Sequence, residues 1–196
     1  MIRIEDYPIL QENITTLKET SKDNHDGEEC FMTDSVISVI DFDAVKDEYV
    51  RPLGMHQVPK SNDALVIDAS GKATFIEFKN GRMNDAKKYE VRKKILDSML
   101  IFTDLIEKGI THTRTQLDYI LVYNENANDI VDDSEPEVEN QLSESRDEIA
   151  KKLMGLGKEK YVKFGLEMFE RYCFQNVYTY TKEEFEENFV QKIAGN

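Results

Sequence analysis

The stretch from Ser61 to Tyr123 constrains the fold more than any other part of the chain. It opens with SNDALVIDASGKATFIEFKNG and closes with LDYILVY. Two short apolar runs, Ala64 to Ile67 and Ala73 to Phe78, flank a turn of sequence DASGK. Asp, Ser and Gly between apolar β-branched or aromatic runs are the pattern of a β-hairpin. Asn80 and Gly81 end the second strand. Val91, Ile95, Met99, Phe102 and Ile106 then recur at spacings of three and four. They share one face of a helix predicted from Asp85 to Lys108, with Gly109 placed to stop it. Leu117 to Tyr123 is apolar enough for a central strand. A hairpin, a long helix and a further strand imply an α/β (α+β) domain with a mixed sheet flanked by helices.

The flanks are read from weaker signals. Ile9 to Lys18 fits a first helix, and the polar, aperiodic run from Lys22 to Glu29 fits a loop. Val36, Ile37, Ile40 and Ala44 fit either a helix capped by Thr33 or Asp34, or a strand. Helical spacing returns at Ile149, Leu153, Tyr161, Phe164, Met168 and Phe169. Phe174 to Tyr180 predicts a fourth strand. Thr181 and Glu184 form a capping box that opens a last helix through Phe185 and Phe189. Nothing divides the 196 residues convincingly, so 1–196 reads as one domain.

Charge narrows the function. A formal net charge of −14 argues against a protein that coats nucleic acid, because binding a polyanion takes a surplus of Lys and Arg. The charge is uneven, however. Lys72 to Lys94 carries eight basic residues against three acidic ones, around the hairpin's second strand and the start of the helix. Glu125 to Glu148 carries ten acidic residues and one basic one, and 124–148 reads as an acidic loop or insertion, with mobility expected. That surface suits a basic protein partner through charge complementarity. No stretch has the length and apolarity of a membrane span, and the N-terminus lacks the pattern of a secretory signal. Cys30 and Cys173 have no metal-site spacing and are too few for a disulfide scaffold, which fits a cytoplasmic setting. His25, His56 and His112 stand alone, and no glycine loop suited to phosphate is present.

One constellation can do chemistry. Phosphodiester hydrolysis needs a divalent cation on hard oxygen ligands, where it polarises the phosphate and acidifies a water. An amine beside it orients that water or neutralises developing charge. Side chains i and i+2 of a strand share a face, so Glu77 and Lys79 point together and Ile76 and Phe78 point oppositely. Asp63 begins the neighbouring strand, where the hairpin brings it toward Glu77.

Asp63, the hairpin, Glu77-Phe78-Lys79, the helix and the strand after it resemble the PD-(D/E)xK nuclease superfamily. The resemblance implies a restriction-endonuclease-like fold and a nuclease dependent on Mg²⁺ or Mn²⁺. It implies Asp63 and Glu77 as metal ligands and Lys79 as the catalytic amine. Lys72, Arg82, Lys87 and Lys88 would meet nucleic acid, with Lys87 or Lys88 as the polar residue that family members often add from the next helix. A first-helix glutamate would fall on Glu12 or Glu19. Many members act as homodimers. Asn62 stands where the family motif often has proline. The acidic balance supports a second expectation: a catalytically silent protein on the same fold, binding a partner as an immunity or inhibitor protein does.

Overall fold

The computed structural model describes residues 2–25, 28–128 and 162–195. Its centre is a six-stranded mixed sheet made of β1 (Ile14–Thr16), β4 (Ser38–Asp41), β5 (Ala64–Ile67), β6 (Ala73–Lys79), β7 (Leu117–Tyr123) and β8 (Asn176–Tyr180). The spatial order is β1-β4-β5-β6-β7-β8. The first four strands are antiparallel, and β6, β7 and β8 run parallel. The change of direction follows from the connections. A tight turn returns the chain from β5 to β6, whereas α4 (Asp85–Leu105) and α5 (Ile110–Gln116) carry it back over the sheet to β7.

The hairpin forms as its sequence dictates. The Asp68 side chain accepts from the backbone N–H groups of Ser70 and Lys72, and Gly71 adopts φ 78°, a conformation that costs glycine little. The helix after it starts at Asn84, whose side chain accepts from the Lys87 N–H. It ends one turn before Gly109. Glu107 takes φ 52°, and the N–H groups of Glu107 and Lys108 bond back to Asp104 and Thr103, which closes the helix in a Schellman motif. Gly109 instead precedes α5.

Both faces of the sheet are covered. On one, Phe75, Tyr119 and Leu121 pack with Val91, Ile95 and Phe102 of α4. Phe75 sits edge-on between Phe42 and Phe102, with ring centroids 4.8 and 5.5 Å away, contacts worth about 0.5–1.5 kcal/mol each beyond area burial. On the other, Ile76, Phe78, Ile120 and Val122 pack with Leu17 and Phe185. Phe185 ends α7 (Lys182–Phe185), which the capping box of Thr181 and Glu184 opens as its sequence predicts. A π-helical turn (Glu186–Val190) and α8 (Gln191–Ala194) follow.

The N-terminal third departs from its sequence reading. Ile9 to Lys18 is not one helix: α1 (Pro8–Gln11), β1 and α2 (Leu17–Thr20) share the segment. Ile14, Thr15 and Thr16 form a β-branched run, and the Thr16 side chain caps α2 by accepting from the Glu19 N–H. Lys22 to Glu29 is not a loop. It lies in a small antiparallel hairpin of β2 (Lys22–His25) and β3 (Glu28–Phe31). The ambiguous segment after it is a strand and then a helix. Asp41 ends β4 and caps α3 (Phe42–Val50), so neither Thr33 nor Asp34 does. Phe164 has φ 64° and Glu167–Phe169 is a single 3-10 turn, so these residues do not continue a helix. Of the acidic segment, Glu125–Asn128 forms the short α6, and 129–148 lies outside the described residues, as does 149–161. No helix among the described residues is long and apolar enough to cross a membrane.

Candidate active site

Asp63, Glu77 and Lys79 meet at the end of β6, on the α4 side of the sheet. The chain entering β5 is fastened at successive residues. The Lys60 N–H donates to Asp97 at 2.8 Å, the Ser61 hydroxyl donates to Asp43, and the Asn62 N–H donates to the Ser98 hydroxyl at 2.8 Å. The Asp63 carbonyl accepts from the Phe42 N–H. These bonds fix where the Asp63 side chain leaves the backbone. Its carboxylate then bridges to the next strand, Oδ2 accepting from the Phe78 N–H at 2.7 Å.

A fourth charge, absent from the sequence reading of the site, completes the cluster. Lys94 of α4 places its Nζ 2.9 Å from Asp63 Oδ1 and 2.7 Å from Glu77 Oε1. Lys79 Nζ lies 2.6 Å from the same Glu77 oxygen. Both ammoniums press on Glu77 as close ion pairs rather than well-aligned hydrogen bonds, and Glu77 Oε2 has no hydrogen-bond partner among the described residues. Glu77 has no exposed surface at all. The Tyr119 hydroxyl and both polar side-chain atoms of Asn62 are also buried without partners there.

This burial shifts the titration of the site. Loss of water around Asp63, reinforced by repulsion from Glu77, pushes its carboxyl up to about 7 against the pull of Lys94, Lys79 and the Phe78 N–H. Burial opposes the charge on Lys94, but Glu77 and Asp63 together outweigh it and hold that ammonium above the usual lysine value. Burial, then Glu77 and Asp63, push the Tyr119 phenol well above its ordinary range, so it stays neutral beside the two carboxylates.

The cluster lies at the base of a cleft of about 570 Å³ whose lining includes Lys22, Asp63, Lys79, Asn80, Arg82 and Lys87. Glu77 and Lys94, both buried, are not part of this lining. The other residues expected at the site separate into two groups. Arg82 and Lys87 reach the cleft, although Lys87 also pairs with Glu90 at 3.0 Å. Lys88 instead pairs with Asp85 at 3.1 Å outside the lining. Lys72 lies at the opposite end of β6, paired with Asp118 at 2.6 Å, too far along the strand to share a phosphate with Lys79. Glu12 and Glu19 are exposed and are not part of the lining. Lys22 joins it from β2, the hairpin read from sequence as a loop.

The donor set can be tested against a divalent cation. Asp63 Oδ1 and Glu77 Oε1 converge on one point, now held by the Lys94 ammonium at 2.9 and 2.7 Å. Oxygen ligands hold Mg²⁺ at about 2.0–2.1 Å, so a small inward shift of two carboxylates already aimed together suffices. The unpartnered Glu77 Oε2 offers a further lone pair. No group of three or more His, Cys, Asp or Glu side chains gathers around a point among the described residues, so water and substrate oxygens would complete the shell. Comparison of the chain with protein-family models, with curated proteins and with solved structures finds no match.

Proposed function

We propose that the chain is a divalent-metal-dependent nuclease on a restriction-endonuclease-like fold, with Asp63 and Glu77 as ligands for Mg²⁺ or Mn²⁺ and Lys79 as the catalytic amine. One observation carries the reading: two carboxylates from adjacent strands aim at a common point beside Lys79, below a cleft edged by Lys22, Arg82 and Lys87. The bound cation would supply the Lewis acid and acidify a water for attack on phosphorus. The chain's own residues do the rest. The Phe78 N–H fixes the orientation of Asp63. Burial keeps the site at low dielectric, where a charge acts strongly. Lys79 faces the cleft and offers its ammonium to the negative charge that grows on the phosphate oxygens in the transition state. Lys22, Arg82 and Lys87 hold flanking phosphates.

A second reading, the catalytically silent binding protein, is favoured by one observation. The two carboxylates already face two ammoniums, Lys79 and Lys94, so each has a cationic partner with no metal bound. One experiment separates the two. The protein is incubated with single- and double-stranded DNA and with RNA in Mg²⁺ or Mn²⁺, beside Asp63→Ala. Cleavage that disappears in the variant supports the enzyme. Absence of cleavage together with absence of metal binding in calorimetry sinks it and leaves the binding protein.

A further inference from the structure

Lys94 stands where a cation belongs. Its ammonium is the point on which Asp63 Oδ1 and Glu77 Oε1 converge, and its side chain is only 11% exposed. It rises from the apolar face of α4, between Val91 and Ile95, which are both fully buried. A lysine there is costly to bury unless its charge is matched, and the two carboxylates match it. The same lysine keeps those carboxylates from driving each other apart. A divalent cation entering between them would meet an ammonium at its own position, and two cations cannot share two oxygens at that range.

We infer that Lys94 is a resident counter-ion that holds the two carboxylates converged and must yield its place when a divalent cation binds. The inference rests on the metal-site reading above and specifies how that site is kept formed and how tightly it binds. Helical side chains lean toward the N-terminus of their helix. Glu90, one turn in that direction on α4, already holds Lys87 and lies 3.9 Å from Lys60, and it can receive the displaced ammonium. Exchange of this kind makes metal binding a competition, so the protein binds its cation more weakly than its ligands alone would allow. In return the site does not collapse or repel when the metal is absent.

The test is Mn²⁺ binding by calorimetry, with thermal melts in chelator and in Mn²⁺, for the wild type, Lys94→Met and Lys79→Met. Lys94→Met is expected to melt lower in chelator, to recover with Mn²⁺, and to bind Mn²⁺ about tenfold tighter or more, the scale of one like charge removed from a cation's position. Lys79→Met removes an equal charge that touches Glu77 alone and is expected to gain less. Tight binding by Lys94→Met where the wild type binds none also supports exchange, and favours the silent protein for the native chain. Unchanged or weaker binding by Lys94→Met, or equal gains in the two variants, overturns the inference and leaves the metal site standing. No binding by any of the three overturns the inference and the metal site together. If Lys94→Met does not fold in chelator, Lys94→Gln keeps one donor for the two oxygens. Failure of both to fold even with Mn²⁺ overturns the inference, since the metal should replace the missing charge.

Discussion

A charge cluster stands at each end of strand β6, and the two are built differently. At its start, Lys72 pairs with Asp118 at 2.6 Å, while the other Asp118 oxygen accepts from the Asn176 backbone and side-chain N–H groups at 3.2 and 2.9 Å. Every oxygen there has a donor, and the lysine remains 28% exposed. At the strand's end, Glu77 is fully buried with one oxygen unpartnered, and Asp63 is pushed up to about 7. The first cluster ties β6, β7 and β8 together. The second holds its charges under tension, with polar capacity left over. Structural ion pairs tend to resemble the first, and groups arranged to meet a ligand resemble the second.

The difference is sharpest in activity. On the nuclease proposal, Asp63→Ala is expected to reduce nucleic-acid cleavage by about a hundredfold or more, the scale of losing one preorganised electrostatic contact in a reaction centre. Lys72→Ala should leave cleavage within about twofold, as a charge remote from the reaction does not alter transition-state binding. Single-turnover cleavage in Mn²⁺ reads both. Equal losses in the two variants would place the chemistry somewhere other than the base of this cleft.

Stability in chelator separates the clusters next. Glu77→Ala leaves two ammoniums without their shared partner, and removing one member of a buried pair costs about 3–5 kcal/mol. Urea unfolding should show a midpoint much lower than that of Lys72→Ala. A loss below about 1 kcal/mol, the range of an exposed pair, would mean that Lys79 and Lys94 find other partners easily.

The pH dependence follows from Asp63, and its sign is opposite to that of an ordinary salt-bridged carboxylate. Its folded pKa is raised, so its contribution is fully present below the unfolded value and is lost as pH rises through about 7. A shift from 3.8 to about 7 corresponds to an upper bound of about 4 kcal/mol between pH 4 and pH 8. Asp63→Asn removes the titration. The stability of wild type minus Asp63→Asn, measured in chelator by urea unfolding, should therefore fall across that window. A flat difference would show that Lys94 and Lys79 offset the burial completely.

These contrasts also explain what could be read in advance. The hairpin and β7 are legible as apolar runs, the hairpin with matching turn chemistry in DASGK, and α4 because its spacing of three and four repeats for long enough to identify it. The N-terminal elements from α1 to β4 are three or four residues long, too short for a period to develop, and β2 is polar throughout. Glu77 and Lys79 are legible from strand alternation, which places i and i+2 on one side, and Asp63 from the hairpin that brings the start of β5 toward Glu77. Lys94 did leave a signal: it lies three residues after Val91 and one before Ile95, on the stripe that must be buried. A lysine on such a stripe calls for carboxylates opposite, and two were already identified. Burial of Glu77 was not legible, because nothing in the alternation of β6 tells that α4 covers the face carrying its charges.

The smallest expected effect tests the quiet cluster. Lys72→Ala removes a partly exposed ammonium and leaves Asp118 with its two donors from Asn176. The remaining carboxylate keeps both of these hydrogen bonds and the lost ammonium was partly solvated, so the cost should be about 1 kcal/mol. Added salt should reduce the difference further, since the partly solvated Lys72 ammonium is screened. The same salt should hardly change the cost of Glu77→Ala, whose charges ions do not reach. Urea unfolding of both variants in low and high NaCl thus compares the ends of β6 directly. If Lys72→Ala proves as costly and as indifferent to salt as Glu77→Ala, the tension at Asp63 and Glu77 is general to this sheet and no longer singles out a site.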